Sequence, residues 1–98
     1  MIREKVGRRR YILFSVQGQA SRTEVIHAIN NRYRALYGDD QVPWLTVFEG
    51  DRGIVRCPHT KKEDVIEVLS GVATDTFSLT PLTTSGTIKK LKKKIYPQ

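Results

Sequence analysis

The chain has 98 residues, a formal net charge of +7 and one cysteine, Cys57. That length makes a single domain, which buries only roughly 60–65% of the surface its unfolded chain exposes, so a protein or RNA partner would add stability. One cysteine excludes an internal disulfide and a cysteine-rich zinc site, and the lack of an apolar run of about 18 residues or of an apolar stretch behind the N-terminus points to a soluble, intracellular protein.

Residues 1–10 carry Arg3, Lys5, Arg8, Arg9 and Arg10 against Glu4, and Gly7 interrupts any helix. This segment is expected to be a basic arm, flexible or ordered by a partner. Tyr11, Ile12, Leu13, Phe14, Ser15 and Val16 follow as a strand rich in aromatic and β-branched residues. Its first four residues do not alternate apolar with polar, which is the pattern of a central strand covered on both faces. After Gln17 to Ala20, Ser21 and Glu24 form a capping box, in which each side chain satisfies the other's backbone N–H. The helix it opens has Val25, Ile26, Ile29, Tyr33 and Leu36 on one face and ends at Gly38, Asp39 and Asp40.

Pro43 can open a strand but cannot donate inside a central ladder, so Trp44 to Phe48 is expected near a sheet edge. Glu49 to Gly53 reads as a hairpin loop with two glycines for positive φ, and Ile54 to Cys57 as the return strand, stopped by Pro58. Thr60 and Glu63 suggest a second capping box before a helix with Val65, Ile66, Leu69 and Val72 on its face, ending near Gly71. Phe77 to Thr80 alternates as a half-buried strand that Pro81 either confines to an edge or ends.

Thr83 to Ile95 completes the chain. Gly86 allows a tight turn, Ser85 or Thr87 can cap a helix, and Ile88, Leu91 and Ile95 fall at i, i+3 and i+7. Lys89, Lys90, Lys92, Lys93 and Lys94 fill the remaining circumference with no acid among residues 85–98. A bare lysine run is most simply a solvated tail. Here the lysines are interleaved with an apolar stripe, and a second basic run stands at the other end of the chain. Between the two ends, residues 11–84 hold nine acids against seven basic residues, so the ends alone make the protein basic. Clustered cations at both ends suit a polyphosphate partner, because displaced counterions favour binding. An anionic membrane suits them less, since the helix lacks a broad apolar face to sink into lipid.

The order βαββαβ plus a helix defines a ferredoxin-like α+β domain, with four antiparallel strands and two helices on one face. The domain divides into an arm (1–10), a sandwich (11–84) and a basic helix (85–98), whose stripe is expected to cover part of the open sheet face. This fold is similar to an RNA-recognition motif, which stacks bases on aromatics of its central strands. The corresponding strand here, Gly53 to Cys57, has no aromatic. Base stacking on the open sheet is therefore not expected, and that face is assigned to packing by the last helix or another subunit. RNA is expected to be held through phosphates.

No catalytic constellation emerges. His27 and His59 are the ordinary acid–base candidates near neutral pH, and a metal-independent ribonuclease using both with a lysine on the phosphate remains open. Their spacing does not demand it. Cys57 reads as a small buried hydrophobe. Glu63, Asp64 and Glu67 favour a helix dipole and do not make a paired-carboxylate site. Trp44 is a core or interface anchor.

Three stretches carry a family resemblance: Arg9 to Phe14, Gly53 to Cys57, and Thr84-Ser85-Gly86-Thr87-Ile88-Lys89-Lys90, the last being the most specific. With Leu36-Tyr37-Gly38 at the helix end, they make the chain similar to the small ribonuclease P protein subunit of archaea and eukaryotes, called component 2 in archaea. The hairpin is short and no extension follows the last helix, so contacts made by longer eukaryotic relatives do not carry over. The resemblance implies a non-catalytic, cytoplasmic subunit that supports a catalytic RNA in removing the 5′ leader of precursor tRNA. The protein would bind no cofactor, the catalytic Mg²⁺ being held by the RNA. Expected partners are the catalytic domain of that RNA, a TIM-barrel-like component 3 in a two-plus-two assembly, and precursor tRNA indirectly, with no membrane. The residues expected to meet RNA are Arg3, Lys5, Arg8, Arg9, Arg10, Arg56, Ser85, Thr87, Lys89, Lys90, Lys92, Lys93 and Lys94. Leu13, Phe14, Trp44, Ile54 and Val55 are expected at a subunit interface. A ribosome-associated or general structured-RNA-binding protein is the alternative, and a stand-alone small ribonuclease the third reading.

Overall fold

The computed structural model of the chain describes residues 9–38 and 42–95. Arg3, Lys5, Arg8, Asp39 and Asp40 lie outside them. Four strands, β1 (Arg9–Gly18), β2 (Trp44–Glu49), β3 (Arg52–Pro58) and β4 (Phe77–Ser85), form one antiparallel sheet in the order β2-β3-β1-β4. Helices α1 (Arg22–Tyr37) and α2 (Lys62–Gly71) make the two crossovers, and α3 (Ile88–Ile95) ends the described chain. This is the ferredoxin-like arrangement, with β1 and β3 central and β2 and β4 at the edges.

Alternation along β1 builds two cores. Ile12, Phe14 and Val16 point into a large cluster with Val25, Ile29 and Tyr33 of α1 and Val65, Val68 and Leu69 of α2. Leu13 points the other way, into a smaller cluster with Ile54 and Leu91, flanked by Tyr11, Val47, Ile88 and Ile95. The unbroken apolar run from Tyr11 to Phe14 thus records a strand covered by α1 and α2 on one face and by α3 on the other.

At the start of α1 the capping box forms as the sequence indicates: Ser21 Oγ accepts from the Glu24 N–H (3.2 Å), and Glu24 Oε1 accepts from the Ser21 N–H (2.8 Å). Val25, Ile29 and Tyr33 are buried, and the stripe continues at i+4 to the half-buried Tyr37, whose ring lies 5.0 Å from that of Tyr33. Leu36 falls off that stripe and is 45% exposed.

Several expected boundaries shift. No Thr60–Glu63 box opens α2; a 3-10 turn over His59–Lys61 precedes it, and no side chain caps the helix at Lys61. Thr60 sits inside that turn, whereas an N-cap needs extended backbone. β4 runs on through Pro81 to Ser85, with a register shift opposite Leu13 and Phe14. An edge position and a bulge accommodate the missing N–H, so Pro81 does not end the strand. In the hairpin only Gly50 has positive φ (59°). Gly53 serves another purpose, since a Cβ there would lie 2.6 Å from Phe14 Cζ. It is a flat spot for the Phe14 ring in the core.

Candidate nucleic-acid interface

Helix α3 is held on the sheet by its stripe. Leu91 is 1% exposed and Ile88 and Ile95 are half-buried around it. Burying a leucine to this degree contributes about 2 kcal/mol, enough to fix an eight-residue helix that would not persist alone. Lys89, Lys90, Lys92, Lys93 and Lys94 are all exposed, and none forms an ion pair with a described carboxylate. An ordered cationic ridge results, its charges spaced by helical geometry.

The turn into α3 is tied to β1. Ser85 is the register partner of Tyr11, and its Oγ accepts from the Thr87 N–H at 3.2 Å. Arg10, half-buried in β1, reaches over Gly86. Gly86 is not among the residues of positive φ; what the position requires is room, because a Cβ there would meet Arg10 Nη1 at 2.7 Å. Arg10 and the start of α3 thus share one spot, although 76 positions separate Arg10 and Gly86 in sequence. Arg9, exposed, pairs with Pro58 at the same end of β1. The strand therefore begins at Arg9, inside the expected arm, and not at Tyr11.

Arg56 stands on the α3 face, with Tyr11 opposite it on β1 and Trp44 opposite it on β2. It is half-buried, while Trp44 is 64% exposed. Sequence reasoning could not see that row, because register depends on the bulge in β2 between Leu45 and Val47. Of the residues expected at a subunit interface, only Trp44 is open. Leu13, Phe14, Ile54 and Val55 are at most 1% exposed within the single chain, Leu13 and Ile54 under α3 and Phe14 and Val55 in the cluster with α1 and α2, so they offer a partner no surface in this arrangement.

The other candidates are dispersed. His27 on α1 and His59 in the 3-10 turn are both exposed. Cys57 is buried beneath α2, and burial pushes its thiol up to about 11 against the opposing effect of Lys62. Protonated at neutral pH, it packs and does not react. Glu67 has a bracing role: its Oε1 accepts from Tyr37 Oη (3.2 Å), linking α2 to α1. Desolvation, and then that hydrogen bond, raise the Tyr37 phenol. Among the described residues no group of three or more His, Cys, Asp or Glu could hold a metal ion, and no helix is long and apolar enough to cross a membrane.

Fold and surface together define a ferredoxin-like α+β protein with a lysine helix docked on its open sheet face. Residues 10–96 match the Rpp14/Pop5 family, and the chain belongs to that family. It is 33% identical over 99 aligned positions to the ribonuclease P protein component 2 of Methanocorpusculum labreanum, across 92% of this chain and 67% of the relative. A chain in a cryo-EM structure of yeast ribonuclease MRP has the same fold, with a TM-score of 0.69 at 14% identity and 95% coverage of both chains.

Proposed function

We propose that this chain is an RNA-binding protein subunit of ribonuclease P, supporting the RNA that removes the 5′ leader of precursor tRNA. The observation that carries the reading is the docked ridge of five exposed lysines on α3, none paired with a described carboxylate, joined at its start by Arg10. Family membership and the name of the archaeal relative support it. In this reading the protein contributes charge and shape. Lysines fixed at helical spacing lower the repulsion between packed RNA helices and so lower the Mg²⁺ the RNA needs, an effect that salt weakens. The catalytic Mg²⁺ belongs to the RNA, and the work is cytoplasmic. A TIM-barrel-like component 3 is the protein partner, in a two-plus-two assembly, and the catalytic domain of the RNA is the surface met.

Capturing the tagged protein from its native cells and sequencing the bound RNA tests this. The expected result is one dominant structured RNA whose particle trims the 5′ end of precursor tRNA. Ribosomal RNA in its place would overturn the reading. The isolated chain should not cut precursor tRNA, and His27→Ala with His59→Ala should leave turnover of the reconstituted particle within a few-fold.

A further inference from the structure

We infer that Trp44 and Arg56 form a stacking site for one unpaired nucleotide of RNA, at the corner of the sheet that α3 leaves uncovered. The inference rests on the RNA-binding reading and adds to it a second mode of contact, to a base where the lysines meet phosphate. In an antiparallel sheet, residues directly opposite lie on the same face with Cβ atoms about 5 Å apart. Trp44 on β2, Arg56 on β3, Tyr11 on β1 and Ser85 on β4 are opposite one another in turn, so they make one row across the sheet. Tyr11 belongs to the cluster under α3, which puts the whole row on the face that carries the lysine helix.

Along this row access changes in a definite way. Tyr11 is half-buried against the cluster of Leu13, Ile54 and Leu91, so α3 restricts the central platform used by RNA-recognition motifs. Trp44, on the edge strand, is 64% exposed. It presents the largest π-face of any side chain beside the guanidinium of its register partner. At a strand spacing of about 4.8 Å, Trp44 stands only about 14 Å from Ser85, where the lysine helix begins. An aromatic face beside a cationic track is the arrangement that binds single-stranded nucleic acid: bases stack on the ring and phosphates follow the charge.

A protein partner is the competing occupant, and the exposed apolar residues argue against it. Among the described residues the other two large ones, Leu36 and Leu82, lie at the last turn of α1 and on β4, the opposite edge of the sheet. They do not extend the Trp44 surface into the contiguous apolar patch that a protein interface needs. A single ring flanked by arginine suffices for a base.

Trp44 is the only tryptophan in the chain, so its fluorescence reports on this site alone. The full chain is titrated with end-labelled oligoadenylate and with a blunt duplex RNA, following Trp44 emission and the anisotropy of the label together. Oligoadenylate should quench the emission, and the duplex should bind without comparable quenching. Trp44→Ala should weaken oligoadenylate binding roughly tenfold, the loss of about one stacked base, while Trp44→Phe should recover most of it. Arg56→Gln should weaken both RNAs and reduce the salt dependence. Circular dichroism confirms that the variants fold. Oligoadenylate that binds without quenching, and equally well to Trp44→Ala, overturns the site and leaves the RNA-binding reading intact. Equal quenching by the duplex overturns the preference for an unpaired nucleotide. Failure of both RNAs to bind at low salt overturns the site and the RNA-binding reading together. Emission unmoved by RNA but shifted on adding a protein subunit overturns the site and assigns Trp44 to a protein interface.

Discussion

Arg10 and Gly86 are complementary: the arginine's Nη1 lies 2.7 Å from where a Cβ on residue 86 would stand. Because the colliding atom is the end of a flexible side chain, Gly86→Ala should displace the guanidinium without breaking the turn. Stability should change by less than about 1 kcal/mol in a urea titration, as for a surface substitution. RNA affinity should fall by about two- to fivefold, as expected when one phosphate contact is misplaced. The comparison variant is Arg10→Gln. If Gly86→Ala weakens RNA binding in the Arg10→Gln background as much as in wild type, the glycine acts through something other than the arginine.

Leu91 is the single fully buried residue of α3, closing over Leu13 and Ile54. Leu91→Ala should cost roughly 2–4 kcal/mol, read from chemical denaturation, because transfer and cavity terms add at a buried leucine. The larger consequence lies in association. With α3 loosened, Leu13, Ile54 and Val47 face solvent as an apolar patch, and sedimentation should show the variant self-associating more than wild type. A variant that loses stability and stays monomeric would show that α3 remains docked through Ile88 and Ile95.

What the sequence made legible was local or strictly periodic. Ser21 and Glu24 are three residues apart, and their capping box needs only the backbone between them. The stripe of Ile88, Leu91 and Ile95 pointed to a docked helix because the unbroken run from Tyr11 to Phe14 demanded a cover for the second face. The Thr60–Glu63 pair has the same spacing and failed, since the residues after Pro58 wind into a 3-10 turn that denies Thr60 the extended backbone of a cap. Of the two outcomes open to Pro81, the edge is the one that holds, and β4 uses the edge plus a bulge to continue to Ser85. The site was legible as charge and not as geometry. That Arg10 meets Gly86, and that Trp44, Arg56 and Tyr11 share a row, follows from strand register. Register is fixed by bulges at Leu13/Phe14 and Leu45/Val47 that no pattern in the sequence announces.

Cys57 gives a pH prediction with a definite sign. Burial raises its thiol from 9.0 to about 11, so the folded chain holds this proton more tightly than the unfolded chain. The stability it contributes is complete below pH 9, where both states are protonated, and is lost as pH rises from 9 towards 11. The informative quantity is the difference from Cys57→Val, which has no proton to lose at this position. Melting temperatures of wild type and variant should fall together up to about pH 9 and then diverge, with wild type falling faster. Alkylation of the folded protein should be slow at neutral pH and return to the rate of a free thiol in denaturant. Fast alkylation of the folded state would place the sulfur outside the core.

The ridge on α3 and the basic residues of the N-terminal arm should act on RNA as one counterion-releasing surface. Successive residues on a helix are about 100° apart, so five lysines cannot all face one duplex. Lys89, Lys92 and Lys93 share one flank of the stripe by their spacing and Lys90 with Lys94 the other, and with Leu91 docked about three can reach RNA together. Arg8, Arg9 and Arg10 supply the remainder, Arg10 from its place over Gly86. With about five or six phosphates neutralised, log K should fall against log salt with a slope of roughly −4 to −5. Lys89→Gln, Lys92→Gln and Lys93→Gln together should flatten the slope by about two to three. Glutamine has nearly the helix propensity of lysine, so the fold should persist. The three arm arginines changed to Gln should flatten it by a similar amount. Combining both sets should bring the slope close to zero if these groups carry most of the phosphate contact. Should neither set alter the slope, RNA is held by another surface and the cations of the two ends are solvated charge.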